Sequence, residues 1–316
     1  MSAVFHWENM PKFALVISKK DEPSESAAVH IASFLHSRSV HIILESHLCQ
    51  LATFPVTPLN SSRLNHIDFV VTVGGDGTVI HAAQYFPNRK PPLIAFNAGS
   101  LGFLTPFLIE DFPSALSKVL QGGFCTTLRH SLECYRITDA GRQYFFSLNE
   151  VAIERSHNSS LTSWSGASSI LQRQPIFDCY CNDLLITSVV ADGVLLATST
   201  GSTAYSLSAG GSCVHPAVPA ILLTPICPQS KCFKSITLPG SSVVKIKIRN
   251  LSSRFDRISI YFDGRSGSTI GAGDSVEVCI SNHPLLTVCR ETQTVDWFES
   301  LRDSLNWNKR IVQKSK

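Results

Sequence analysis

Charge is sparse in this chain. Asp, Glu, Lys and Arg make up 16% of 316 residues, the net charge is +3, and no block of like charges occurs. Nothing here calls for nucleic acid or a membrane surface as a partner. Long apolar runs are also missing. None approaches the ~18 uninterrupted residues of a membrane span, and residues 1–13, MSAVFHWENMPKF, lack the continuous apolar segment of a secretory leader. Cysteine is plentiful at ten, but no CxxC pair is among them. Cys179 and Cys181 would share one strand face without a nearby histidine, so buried thiols are expected rather than zinc. These absences lead us to expect a cytoplasmic protein with reduced thiols. Three chemical signatures are absent too. No Lys follows the glycines as in a Walker A loop, and neither the dinucleotide fingerprint G-x-G-x-x-G nor the hydrolase elbow G-x-S-x-G occurs.

What is present is a large apolar fraction, 44%, enough for a sizeable core. The first part alternates strand and helix signals. Strands are expected at 12–18, 40–46, 67–73 and 91–97, with helices at 26–37 and 78–86. Residues 47–66 show no clear period. A further helix follows Asp111 as N-cap, with Pro113 in its first turn and Gly122-Gly123 as its stop. Such alternation implies a parallel sheet covered by helices. After about residue 124 the pattern becomes many short strands with Gly, Asp and Ser turns, including 176–187, 189–198, 256–262 and 284–290, which reads as an antiparallel β domain. The Ser-rich stretch 156–174 reads as a mobile loop or insertion. In the tail, Asp296 and Glu299 resemble a capping box, and Trp297, Phe298, Leu301 and Leu305 share one helical face. The domains expected are 1–127, completed by 292–316, and 128–291.

The chemistry-bearing residues concentrate in glycine-rich turns. "FVVTVGGDGTVIHAA" (69–83) sets Gly74, Gly75, Gly77 and Thr78 between a strand and a helix start, an arrangement that suits phosphate. Asp76 is out of place beside phosphate, because a carboxylate repels it. It makes sense if it binds a hydroxyl, takes a proton or faces a metal. A helix N-cap is the bland alternative. A second loop, "FNAGSLGFLT" (96–105), carries Asn97 at the end of the next strand, and Lys19-Lys20 follow an earlier one. Together they point to a crevice at the carboxyl edge of the sheet. Further on, "SLNEVAIE" holds Asn149-Glu150, "ADGVLLATSTGSTAYSLSAGG" holds Asp192 and a run of hydroxyls, and "IYFDGR" ends in an Asp-Gly that is most often a turn.

Taken together, "GGDGT" (74–78), "NAGSLGFLTPF" (97–107), "LNEVAIER" (148–155), "DGVLLATSTGSTAYSLSAGGSCVHP" (192–216), "VPAILLTPICPQS" (218–230), "FDGR" (262–265) and "DWFESLRDSLNW" (296–307) resemble the ATP-NAD kinase family, in its eukaryotic-like branch, and run in that family's order. GGDGT alone is shared with diacylglycerol and sphingosine kinases. The 192–216 and 218–230 segments are far more specific. The resemblance implies a Rossmann-like α/β N-terminal domain, a β-sandwich C-terminal domain, a C-terminal helix that returns to the first domain, and NAD held between the two. It implies that Asp76 deprotonates the adenosine ribose 2′-hydroxyl of NAD for attack on the γ-phosphorus of ATP, which carries Mg²⁺ or another divalent metal. Gly74, Gly75, Thr78 and Asn97 would lie on the phosphate side. Gly77, Asn149, Glu150, Asp192, Thr203, Ala204, Tyr205, Ser208, Asp263 and Arg265 would hold NAD. A homo-dimer or tetramer is implied as well. Ser199 and Gln229 depart from the family's usual proline and histidine. A lipid kinase and a non-catalytic NAD(P)-binding sensor are the alternatives.

Overall fold

Buried runs of Val, Ile and Leu build the first sheet of this computed structural model, which describes residues 3–99, 102–155, 174–230, 232–250 and 258–306. The chain divides into two units, Met1–Leu128 with Leu285–Lys316, and Arg129–Pro284.

The first unit is organised by a nine-stranded sheet. Its order is Ala3–Phe5, Phe124–Arg129, Leu285–Val288, Leu93–Asn97, Phe69–Val73, Phe13–Ser18, His41–Leu44 and Thr57–Pro58, with Phe107–Leu108 also paired to Leu93–Asn97. The central ladders are parallel. Phe69–Val73 and Leu93–Asn97 are buried at every position, as strands covered on both faces must be. The sheet is mixed rather than wholly parallel, because Ala3–Phe5 pairs antiparallel with Phe124–Arg129. No crossover helix ties that first strand to its neighbour, so nothing imposes the parallel direction. The strand expected at 284–290 forms over Leu285–Val288, but it lies parallel to Leu93–Asn97 in this sheet.

Helices form where expected, with sharper ends. Glu22–His36 begins a turn before the apolar period because Asp21 caps it, accepting from the Ser24 amide at 3.0 Å, with Pro23 in the first turn. Ala28, Ile31, Ala32 and Leu35 are its buried stripe. Within 47–66 the elements are a four-residue helix, a two-residue strand and the 3₁₀ turn Ser61–His66, all too short to show a period. Helix Phe112–Gln121 has Asp111 at its cap position, but no side-chain bond is made there. Gly122 and Gly123 leave it with φ of 81° and 76°.

The second unit is two six-stranded antiparallel sheets. One orders Gly141–Ser147, Leu132–Thr138, Ser275–Ile280, Val244–Asn250, Ile176–Cys181 and Leu184–Val190. The other orders Ile236–Pro239, Ala220–Ile226, Gly193–Thr198, Glu150–Arg155, Ile258–Phe262 and Arg265–Ile270. Phe177, Ile246 and Val276 of the first share a core with Ile153, Leu196 and Ile260 of the second, which makes a β-sandwich. Where the sequence suggests two strands over 176–198, three form. Asn182 and Asp183, at φ 48° and 64°, turn the chain in a two-residue hairpin. The loop expected at 156–174 lies outside the described residues except for Gln174.

The last helix, Gln293–Ser304, belongs to the first unit. Its cap is Thr292, whose hydroxyl accepts from the Val295 amide, and not the expected Asp296. Asp296 lies a turn inside and accepts the amides of Arg290 and Glu291. Trp297 and Leu301 are buried as expected, whereas Phe298 is 54% exposed and Ser300 takes the inner face instead.

Candidate active site

The strand Phe69–Val73 delivers the chain to Gly74, which adopts φ 147°. A Cβ there would meet Thr78 Oγ1 at 2.4 Å and Lys19 Cβ at 3.0 Å, so only glycine fits. Gly75 occupies the cap position of the helix Asp76–Gln84, and no side chain caps that helix. Its first turn therefore presents the positive end of the backbone dipole. A cavity of about 1000 Å³ opens beside it, lined by Gly75, Gly77 and Thr78 together with Lys19 and Lys20. The two lysines thus reach the same edge as the glycine turn.

Asp76 does not cap its own helix. Its Oδ2 accepts the Phe103 amide at 2.9 Å, and its Oδ1 accepts the Leu104 amide at 3.0 Å and the Thr105 hydroxyl at 3.3 Å. Thr105 Oγ1 in turn accepts from Asn97 Nδ2 at 2.8 Å and from the Gly102 amide at 3.1 Å. A Cβ on Gly102 would fall 2.1 Å from Asp76 Oδ1, so that glycine makes room for the carboxylate. Asn97 Oδ1 accepts the Gly99 amide at 2.6 Å, so both ends of its side chain hold the loop. Asn97 is 6% exposed and serves Asp76 through Thr105. From the tail helix, Ser300 Oγ donates to the Gly102 carbonyl at 3.0 Å. The half-buried Asp76 is therefore fixed by a loop that is itself fixed twice.

The remaining predicted residues lie in the second unit. Asp263 and Gly264, at φ 49° and 74°, form the two-residue turn between Ile258–Phe262 and Arg265–Ile270. The Asp263 carboxylate accepts from Ser147 Oγ at 2.5 Å and from the amides of Leu148, Asn149 and Glu150 at 2.9, 2.7 and 3.2 Å. It organises the turn that carries Asn149 and Glu150. Gly201 packs on the same turn, where a Cβ would meet the Asn149 carbonyl oxygen at 2.2 Å.

Asn149 and Glu150 are 9% and 6% exposed, and neither Asn149 Oδ1 nor Glu150 Oε2 has a hydrogen-bond partner among the described residues. Buried polar atoms without partners are rare and mark a place for a ligand or water. Burial, and then the Asp263 carboxylate, push Glu150 up to about 8, against the Tyr205 amide that donates to it. Thr203 and Ala204 form the tight turn after Gly201. Tyr205 is 38% exposed and Ser208 is exposed on the short helix Tyr205–Ser208. Burial and then Glu154 push the Tyr205 phenol up to about 12. Asp192 accepts from Gln174 Nε2 at 3.1 Å, and with Tyr205 it lines a cleft of about 280 Å³. Arg265 is exposed at the start of its strand.

Sequence reasoning gave no individual role to Gly102, Thr105 or Ser300. The first two sit inside the quoted glycine-rich loop, where a glycine three residues before a threonine was the available signal. Ser300 gave none. Among the described residues no cluster of three or more His, Cys, Asp or Glu is arranged to hold a metal, and no helix is long and apolar enough to cross a membrane.

An α/β unit with an acid in a glycine turn of the kind that suits phosphate, and a β-sandwich whose Asn149 Oδ1 and Glu150 Oε2 lack partners among the described residues, make this a two-domain chain of the kinase-family type. The chain belongs to the ATP-NAD kinase family: residues 13–124 match the ATP-NAD kinase N-terminal domain and residues 148–289 the C-terminal domain. It is 39% identical across 98% of its length to the chloroplastic NAD kinase 2 of Arabidopsis thaliana, covering 32% of that protein. Against the mitochondrial NADH kinase of Schizosaccharomyces pombe it is 30% identical, over 96% of this chain and 76% of the other. The crystal structure of yeast NADH kinase complexed with NADH superposes with a TM-score of 0.87 at 28% identity, covering 98% of this chain and 91% of that one. The chain spans about a third of the length of the chloroplastic relatives it matches.

Proposed function

We propose that this protein transfers the γ-phosphoryl group of ATP to the adenosine ribose 2′-hydroxyl of NAD, giving NADP and ADP. The observation that carries the reading is Asp76: a carboxylate held by two amides and a hydroxyl inside a glycine turn otherwise suited to phosphate. Asp76 orients the ribose hydroxyl and takes its proton as the oxygen bonds to the γ-phosphorus, and the bond from that phosphorus to the β-γ bridging oxygen breaks. The Gly74–Thr78 turn, the helix dipole behind it and Lys19-Lys20 bind the phosphates. Mg²⁺ enters with ATP as part of the substrate and neutralises phosphate charge. Asn149 and Glu150 take ribose hydroxyls of NAD through their unpartnered oxygens, and Asp263 keeps that pair in place.

Self-association is part of the same proposal. Leu184–Val190 is an edge strand with Leu184 73% and Leu185 44% exposed, a surface of the kind that pairs with another chain. The test of function is incubation with NAD and Mg-ATP, scored by a dehydrogenase strictly specific for NADP. NADP accumulation is expected. No product from ATP or any other phosphoryl donor contradicts the reading, and product from diacylglycerol or sphingosine instead restores the lipid-kinase alternative.

A further inference from the structure

Glu45, His81 and Tyr85 form a cluster that the transfer step leaves without a task. Glu45 directly follows the strand His41–Leu44, at the carboxyl edge of the parallel sheet where α/β proteins bind ligands. It lines the 1000 Å³ cavity yet is only 8% exposed. Its Oε1 accepts the Tyr85 hydroxyl at 3.0 Å and lies 2.9 Å from His81 Nε2. Burial pushes the carboxyl up, but the bonds from His81 and Tyr85, and the charges of His81 and His47, outweigh it and hold it below its ordinary value. The wall of the cavity therefore carries an ionised, oriented, acceptor-only group.

The glycine-turn end of the cavity has the opposite character. Lys19 is tied by its amide to the Val73 carbonyl at 2.9 Å, which seats Lys19-Lys20 at the glycine turn. His81 stands one helical turn beyond Gly77, about 6 Å along the same helix. Backbone amides and Lys20 thus gather at one end, with the Lys19 ammonium paired to Asp21 at 2.7 Å, and a carboxylate that repels phosphate sits a turn away. One ligand chemistry satisfies both: phosphates at the turn and vicinal hydroxyls that donate to the carboxylate. This cluster is separate from Asp76, whose oxygens face the 102–105 loop.

We propose that Glu45, oriented by His81 and Tyr85, binds the ribose 2′,3′-diol of the nucleoside triphosphate donor, and so makes the site prefer a nucleotide to an inorganic phosphoryl donor. The assignment rests on the kinase reading above for the identity of the cavity as the donor site. It is tested by calorimetric titration of Mg-ATP, Mg-2′,3′-dideoxy-ATP and Mg-tripolyphosphate into wild-type protein and Glu45→Gln. The wild type is expected to bind ATP about tenfold more tightly than the dideoxy analogue, the loss associated with a hydrogen bond to a charged group. Glu45→Gln should weaken ATP by a similar factor and should not weaken the dideoxy analogue or tripolyphosphate, which are relieved of a repelling charge. Equal weakening of ATP and dideoxy-ATP, or a wild type indifferent to the hydroxyls, overturns the assignment. Should a thermal melt show Glu45→Gln unfolded, Tyr85→Phe replaces it. That variant removes one bond orienting the carboxylate and is expected to weaken ATP severalfold while sparing dideoxy-ATP, and equal effects on both again overturn the claim. Hydroxyl-dependent ATP binding without NADP formation would keep this assignment and sink the kinase reading. NADP formation with indifference to the hydroxyls would do the reverse.

Discussion

Asp76 accepts hydrogen bonds on both carboxylate oxygens, and this changes what its substitution should do. Asn keeps the shape, but its NH₂ would face a backbone amide donor, a mismatch that costs about 1–3 kcal/mol. Asp76→Asn is expected to lower kcat by about a hundredfold or more, and also to lower the melting temperature measurably. A variant with full turnover would remove the base role. Glu150 allows a second residue-scale prediction. Its folded carboxyl titrates near 8 against an ordinary 4.5, so the folded state binds the proton more tightly than the unfolded state. Stability therefore falls as pH rises from about 4.5 to about 8, and Glu150→Gln should flatten that dependence in denaturant titrations. Ribose hydroxyls donating to Glu150 would favour its ionised form, so NAD should bind more tightly at pH 8 than at pH 6. Flat affinity across that range would remove Glu150 from the site. At this scale the sequence showed Asp76 as an acid out of place and Asp263 as a turn residue. It could not show that Asp263 has both oxygens engaged, or that both ends of the Asn97 side chain hold the 99–105 loop. Those facts depend on which amides folding brings within 3 Å.

Among the elements, the helix Gln293–Ser304 is the informative one. It buries Trp297 and Leu301 and places Ser300 on the carbonyl of Gly102, the glycine that makes room for Asp76. Thr292→Ala should destabilise by about 1 kcal/mol through loss of the cap, seen as a lower melting temperature. Ser300→Ala, which touches no reacting group, should lower kcat severalfold with little change in KM, because the loop holding Asp76 loosens. An unchanged kcat would make the helix only a structural cover. The helix itself was legible from its apolar spacing. Its true inner face was not, because Phe298 is one step of 100° from Trp297 and hydrophobicity alone cannot say which of them turns inward. The hairpin at Asn182-Asp183 was missed for a similar reason: continuous apolar sequence on either side masks a two-residue turn.

For the whole molecule, the alternation of strands and helices followed by short strands identified both architectures, since each buries apolar residues with its own period. What no period could reveal is that Leu285–Val288 leaves the β-rich region to join the first sheet, because a short apolar strand suits either. The proposed self-association predicts a solution mass that is a multiple of the 34.6 kDa chain, read by light scattering. The central claim, that this protein phosphorylates NAD, is tested most directly by following the γ-phosphoryl group itself. With ATP labelled at that phosphate, Mg²⁺ and NAD, the label should appear on the 2′-position of NADP, at a rate that Asp76→Asn reduces about a hundredfold or more. Label that remains in ATP, or passes only to inorganic phosphate while NAD is recovered unchanged, would contradict it.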